Sequence, residues 1–582
     1  MKKFNLVIMV TLVFRGLLFA QAISRGPYLQ VRTQNSIQVR YSTNVGCETK
    51  VKYGLAQNAL TNEVVIGGSR YMHTASISGL AANSKYYYAI YNGATLIEGG
   101  LNNFFMTSQA KNSEQKIRIW ATGDCGTGTP QQLQVKNAFL NYNNNQYVDA
   151  WLLLGDNAYS SGLDLEYQEK FFNVYQNDPI MKQTAIYPVP GNHDYYISAD
   201  AKFNHFVPYY DIFSPVANAE MGGVPSGHKE YYSYDIGNVH FVALDSYGRE
   251  TANNYVMSDT ISPQIVWLKQ DLAANTQKWT VVYWHHPPYT MGTHNSDTEP
   301  DLTAIREKLT PIIERFNVDL VLTGHSHNYE RSKLIKGHVG LENTFNPLTH
   351  VVNSSSGFYD GSSNSCPYLK KSDGSIKGTV YAVAGSAGAV LYGQASFPHE
   401  ALPHVVADFS GSLLIEVEGD RLDAKMIGHD GGVKDKFTIM KDMNQTHVLK
   451  MPVNASSFTL KSPYNAPTNW RFTTDKSSSM LINTPVNGMK FHISDTKNCL
   501  SDILLITNQD PCKQVVNVSQ LIEENSSILL KASDQIFADS KILSPADIIY
   551  DSKKSVELKP GFETIPGSVF TAKTGGCENI NN

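Results

Sequence analysis

Val148-Asp149-Ala150-Trp151-Leu152-Leu153-Leu154-Gly155-Asp156-Asn157-Ala158-Tyr159 runs from an apolar stretch directly into a carboxylate and a phenol. The apolar part reads as a buried strand. A carboxylate ending such a strand needs a partner. The same phase recurs along the middle of the chain. Ile117–Ala121 leads to Asp124 in Gly-Asp-Cys-Gly, and Ile186–Val189 leads to Asn192 in Gly-Asn-His-Asp. Val281–Trp284 leads to His285, and Val318–Leu322 to His325 and His327 in Gly-His-Ser-His. With Asp156 and Tyr159 these make an ordered series of potential metal ligands. The ends of strands in an open α/β sheet converge on one crevice, and scattered surface residues would not keep this phase with the strands. Carboxylate, amide and phenol oxygens with imidazoles suit iron, zinc or manganese rather than a thiolate site. The set points to a two-metal hydrolase.

The regions on either side are of different kinds. Residues 23–109 look all-β: Ser36–Tyr41 alternates polar and apolar, Lys85–Tyr91 is a tyrosine-rich strand, and turn signals separate the runs, as in a small sandwich. From Lys116 short apolar runs alternate with amphipathic stretches, the mark of βα units, and this region extends over residues 113–440. Ser262–Ala274 has an N-cap serine followed by Pro263 and predicts a helix. Another is predicted from about Asp301 to Phe316, with Pro311 bending or shortening it. Residues 337–380, rich in Gly, Ser and Asn, read as loops. Residues 441–582 read as β-rich, with Glu557–Glu563 and Pro566–Phe570 as two stacked turns.

Hydrophobic residues make up 42% of the 582-residue chain and charged residues 17%, with a net charge of −5. That is an ordinary globular balance. The lack of a basic run argues against nucleic acid as a partner. Residues 1–22 read as an export signal: Met1-Lys2-Lys3 is positive, Phe4–Ala20 is mostly apolar, and Ala20-Gln21-Ala22 offers small residues for cleavage. Arg15 leaves too short a clean run for a stable span. Cysteines stand at 47, 125, 366, 499, 512 and 577. Export permits disulfides, and Cys499 and Cys512 are close enough in sequence to pair across a loop. Without a CxxC, no structural zinc site is expected.

The chain resembles the purple acid phosphatases, within the calcineurin-like metallophosphoesterase superfamily. The matching motifs are Asp124-Cys125-Gly126, Gly155-Asp156-Asn157-Ala158-Tyr159, Gly191-Asn192-His193-Asp194, Val282-Tyr283-Trp284-His285 and Gly324-His325-Ser326-His327, running on to Asn328-Tyr329-Glu330-Arg331. The prelude resembles a fibronectin-type-III module, with Arg25-Gly26-Pro27-Tyr28-Leu29 at its opening. The resemblance implies a multidomain fold: an N-terminal all-β sandwich, a central α/β sandwich of two mixed sheets flanked by helices, and a C-terminal β-rich region. It implies Fe(III) on Asp124, Asp156, Tyr159 and His327. A second ion, Fe(II), Zn(II) or Mn(II), would take Asp156, Asn192, His285 and His325. Tyr159 is the residue that related phosphodiesterases usually lack. His294 and His193 would contact phosphate or supply a proton. Asn295 stands where many plant-type members carry a histidine, and Asp194 replaces a glutamate found in some. Cys125 either shifts metal preference or packs behind its loop, and His286 either supports a ligand or is merely adjacent to one.

The expected activity is that of an exported acid phosphatase, secreted, periplasmic or on the cell surface. It would hydrolyse small phosphate monoesters through a metal-activated hydroxide. A trivalent ion beside Tyr159 would favour phenolate, and phosphoryl transfer needs positioning and charge neutralisation more than a protein nucleophile. No membrane span is expected after signal cleavage, and the C-terminal region is a candidate for surface attachment. Two other readings stand beside this one: a phosphodiesterase or nucleotidase on the same scaffold, and a non-catalytic surface-binding protein.

Overall fold

The computed structural model describes residues 21–576 except 251–252, 392, 453–454, 472, 475, 509–512, 520 and 523–526. All but the last two residues of the expected export signal lie outside the described residues. The chain divides into two units: residues up to 443 with 463–465 and 497–499, and the remainder.

In the first unit, β1 (Ile23–Gln30), β2 (Ser36–Gly54), β3 (Asn62–Ser78), β4 (Lys85–Asn92), β5 (Thr95–Glu98) and β6 (Phe104–Met106) form an antiparallel β-domain. The alternation along β2 buries Ile37, Val39 and Tyr41. Their cluster is continuous with the inner faces of the central sheets. Polar contacts also join the two parts. Buried Tyr28 donates to the Ile212 carbonyl at 2.8 Å, and Arg40 donates to that of Asp211 at 2.6 Å.

The central strands follow in chain order: β7 (Ile117–Thr122), β8 (Ala150–Leu154), β9 (Ile186–Val189), β10 (Tyr232–Ile236), β11 (Val239–Ala243), β12 (Trp279–Tyr283), β13 (Leu320–Thr323), β14 (Tyr329–Arg331), β15 (Leu334–Ile335), β16 (Val351–Asn353), β17 (Tyr368–Lys370), β18 (Val380–Ala384), β19 (His404–Val406), β20 (Gly411–Glu418), β21 (Arg421–Gly428) and β22 (Val433–Lys441). They make two mixed sheets, β17-β22-β21-β20-β7-β8-β9 and β10-β11-β12-β13-β18-β14-β19, while β15 and β16 pair apart. β8, β9, β12, β13 and β18 are almost wholly apolar because both faces are covered. Ile119, Ala121, Leu152 and Leu154 point into the cluster between the sheets. Trp120, Trp151 and Leu153 point outward to Val135 and Phe139 of helix Pro130–Asn143. The other sheet likewise packs Val282, Trp284 and Val321 against Ile265, Leu268 and Leu272 of helix Pro263–Ala274. Ser262 caps that helix by accepting from Ile265 N at 3.3 Å. The second predicted helix is broken at Leu309 into Pro300–Lys308 and Thr310–Arg315, with Pro311 in the first turn of the second piece.

The expected Cys499–Cys512 pairing does not form. Cys499 bonds Cys366, 133 residues away, and Cys512 lies outside the described residues. Tertiary placement, invisible to local spacing, brings these two together.

Among the described residues the second unit contains strands and no helix. Thr446–Met451, Ser501–Asn508, Lys490–Asp495 and Thr468–Trp470 form a four-stranded sheet. From Lys513 onward every pairing between strands among the described residues is parallel. Val516 aligns with Ile536 and Ile536 with Val556, at a spacing of 20 residues, and Ile548 aligns with Phe570 at 22. The chain therefore winds as a parallel coil, and the two predicted stacked turns lie in its last rungs. Ile522, Ile536, Ile542, Ile548 and Tyr550 fill its interior.

Candidate metal centre

Each sheet contributes half of the centre. β7, β8 and β9 end at Asp124, Asp156 and Asn192, and β12 and β13 end at His285, His325 and His327. Asp124, Asp156 and His325 take left-handed backbone conformations, with φ of 58°, 54° and 69°. Such conformations are uncommon for residues with a side chain and cluster at functional sites. They turn the chain sharply at the residue that must face the crevice. Close approach is secured by the glycines. A Cβ on Gly155 would lie 2.4 Å from His285 Nδ1, and one on Gly191 would lie 2.2 Å from Asp156 Oδ1.

Tyr159 donates to Asp124 Oδ1 at 2.8 Å, and its oxygen is 3.0 Å from His327 Nε2. His327 Nε2 in turn lies 3.4 Å from Asp124 Oδ1. Nearby, His285 Nε2 is 3.4 Å from Asp156 Oδ2 and 4.0 Å from Asp124 Oδ1. Donor atoms about 3 Å apart are spaced like neighbouring ligands on one ion with bonds of about 2.1 Å. Asp124, Asp156 and His285 accordingly form a buried group able to hold a cation.

The orphaned atoms point the same way. His285 Nδ1 donates to the Leu154 carbonyl at 2.8 Å, which fixes the tautomer and leaves the Nε2 lone pair free. That Nε2 is buried without a partner, as is Asn192 Oδ1, whose amide nitrogen donates to Tyr196 Oη at 2.9 Å. Buried acceptors without donors are costly unless a cation satisfies them.

The electrostatics is that of a site built for positive charge. Burial and the neighbouring carboxylates Asp124 and Asp156 hold the Tyr159 phenol well above its usual range. Burial opposes a charged His285, yet Asp156 and Asp124 outweigh it and raise the imidazole to about 9. Burial would raise Asp156, but His285 above all holds it well below the ordinary carboxylate range. His325 is pushed down to about 4, chiefly by burial.

All of the sequence-predicted residues converge here. His193, a ligand neighbour, has Nε2 3.9 Å from Asp156 Oδ2, its backbone N–H donates to Asp156 Oδ1 at 2.8 Å, and Nδ1 donates to the Ser160 carbonyl at 2.6 Å. His294 stacks on His325 with ring centres 3.6 Å apart, and its Nδ1 lies 3.0 Å from Glu299 Oε2. Both histidines line a cavity of about 360 Å³ over the ligand atoms. Asp194 lies behind the loops, accepting from Gly191 N, Asn157 N, Asn157 Nδ2 and Tyr167 Oη. Cys125 packs in the apolar cluster, its thiol pushed up by burial to about 12. His286 shares a hydrogen bond with Ser246 Oγ at 2.8 Å and lines the cavity.

Sequence reasoning missed Glu299, Tyr196, Tyr247 and Asp301, which also line the cavity. Glu299 lies five residues beyond His294 and Tyr196 four beyond Asn192, so proximity in sequence was the available signal. Nothing comparable marked Tyr247. The group His294, Glu299 and His325 could also hold a cation.

Residues 117–329 match the calcineurin-like phosphoesterase family. Fold and site thus define the central domain as a calcineurin-like metallophosphoesterase. Over 376 residues the chain is 26% identical to the "probable inactive purple acid phosphatase 9" of Arabidopsis thaliana, covering 55% of each. Over 296 residues it is 25% identical to purple acid phosphatase 15 of the same plant, covering 45% of this chain and 50% of the other. It therefore spans about half the length of these curated relatives. In fold it is similar to purple acid phosphatase PPD1 from yellow lupin (Lupinus luteus) seeds, with a TM-score of 0.53, 20% identity, and coverage of 72% of this chain and 74% of that one. Within that class the chain is similar to the purple acid phosphatases.

Proposed function

We propose that the protein is an exported acid phosphatase that hydrolyses phosphate monoesters with two cations, Fe(III) and one of Fe(II), Zn(II) or Mn(II). The observation that carries this reading is the pair of orphaned buried acceptors, Asn192 Oδ1 and His285 Nε2, beside two buried carboxylates. Asp124, Asp156, Tyr159 and His327 would hold the first ion, and Asp156, Asn192, His285 and His325 the second. When bound, such a pair acidifies solvent and neutralises phosphate charge.

The chain's own residues do the rest. Leu154 O fixes the His285 tautomer, and Tyr196 orients the Asn192 amide. Ser160 O fixes His193 with Nε2 as its free ring nitrogen, and Glu299 does the same for His294. Either Nε2 is then placed to hold a phosphate oxygen or to give a proton to the leaving alcohol. Among the described residues no helix is long and apolar enough to cross a membrane.

The deciding experiment combines metal analysis and a visible spectrum of the purified protein with turnover of 4-nitrophenyl phosphate and its bis-ester. Bound iron, a violet charge-transfer band and faster monoester hydrolysis are expected. A dominant bis-ester rate would replace this reading with a phosphodiesterase. Asn192→Ala and His285→Ala should each lower kcat at least about a hundredfold and reduce metal content while the protein stays folded. Unchanged turnover would refute the assigned ligands.

A further inference from the structure

The cavity over the ligand atoms has two chemically different walls. One is Tyr196 and Tyr247, whose rings meet edge to face at 5.9 Å and 75°. The other is Glu299 and Asp301, where helix Pro300–Lys308 begins. Among the described lining residues there is no Lys or Arg. Lys202 and Arg249 approach the Tyr247 ring at 5.6 and 5.9 Å, but neither lines the cavity.

The tyrosine wall is anchored at both rings. Tyr247 N and Gly248 N both donate to Asp245 Oδ1 at 2.9 Å, and the Tyr247 ring lies nearly parallel to His286. Tyr196 is held through its hydroxyl by Asn192 and keeps 46% of its surface exposed. Asp301 is exposed, and Glu299 has its carboxylate on His294. The half-exposed Tyr196 ring and the Glu299 and Asp301 carboxylates, which line the same mouth, attract a cation through the ring quadrupole and direct charge. They offer an additional anion nothing.

We propose that this mouth sorts esters by the charge on the alcohol half. Phosphates of amino alcohols are favoured, neutral alcohols come next, and esters carrying a second phosphate are rejected. The proposal rests on the phosphomonoesterase reading and names the substrate class of that same site.

The test uses the metal-loaded full chain with phosphocholine, glycerol 2-phosphate and fructose 1,6-bisphosphate. kcat/KM should fall in that order, by about five- to tenfold at each step at low salt, and the spread should shrink at high salt. Asp301→Asn should narrow the spread, Tyr247→Phe should keep it, and Tyr247→Ala should narrow the phosphocholine advantage. Equal values for the three esters would overturn the proposal. So would fastest turnover of the bisphosphate, which would make Lys202 and Arg249 part of the site.

A second measurement needs no turnover: saturation transfer from protein protons to choline, compared with glycerol. A choline signal that weakens in Asp301→Asn supports the sorting, and equal signals for choline and glycerol count against it. Failure of all three esters to turn over would count against the phosphomonoesterase reading alone, because the choline signal tests the mouth independently.

Discussion

Glu330 and Asp194 are buried carboxyls that burial raises to about 7. Glu330 accepts from Thr290 Oγ1 and from Met291 N, tying the loop that carries His294 to the strand after His327. A folded-state value above the unfolded one means that the neutral acid is favoured in the native protein. Stability is therefore fullest below about pH 4.5 and declines as pH rises through 7. Wild type should gain up to about 3 kcal/mol relative to Glu330→Gln between pH 8 and pH 5, read from urea midpoints. No change in the difference would place Glu330 in a wetter setting than its burial suggests. Gly191→Ala makes a second residue-scale prediction: its methyl meets Asp156 Oδ1, so metal content and kcat should fall together. The ligands were legible because each follows a hydrophobic run in fixed phase. Tyr247 and Glu299 were not, since a wall is defined by what it faces rather than by what precedes it.

Among the elements, the hairpin β10–β11 is bound to helix Pro263–Ala274 through His240. Its Nδ1 lies 2.8 Å from Asp235 Oδ1, and its Nε2 lies 2.8 Å from Asp271 Oδ2. Burial disfavours the imidazolium, but the two carboxylates raise it to about 9. The stabilisation is fully present below about pH 6.5 and is lost as pH climbs through 9, the same direction as at Glu330 but over a higher pH range. Because removing one partner strands buried charge, His240→Ala should cost about 3 kcal/mol at pH 6, and less at pH 9.5. An equal cost at both pH values would show that packing, not charge, holds the hairpin. The strands that lead to the ligands were readable to within about two residues of their ends. By contrast, Ser36–Tyr41 is only the start of a strand that runs to Gly54, and short strands at Val351–Asn353 and Tyr368–Lys370 interrupt the stretch read as loops. The helix break at Leu309 was readable too, since Pro311 lacks an N–H to continue the ladder.

For the whole molecule, the centre lies at the seam of the two sheets, so bound cations would fasten one to the other. At a free metal concentration a hundredfold above Kd, binding should add about 2.7 kcal/mol to the first unit. Exhaustive chelation should lower its melting temperature, and identical melting curves would argue against a centre spanning the seam. All residues of the centre precede Met443, so a chain ending there, with Cys366→Ser because its disulfide partner Cys499 is removed, should keep kcat/KM within about twofold. Loss of activity without unfolding would give the second unit a part in catalysis. That unit was the least legible region: Ile, Leu and Val runs announce strands, but parallel pairing at 20 and 22 residues is set by the winding of the chain, not by any one run.

This winding leaves length adjustable. Each rung rests on its neighbour at about 4.8 Å along the axis. Duplicating one 20-residue turn in frame would lengthen the stack by that amount while every other residue kept its local surroundings, making the C-terminal unit a ruler graduated in turns.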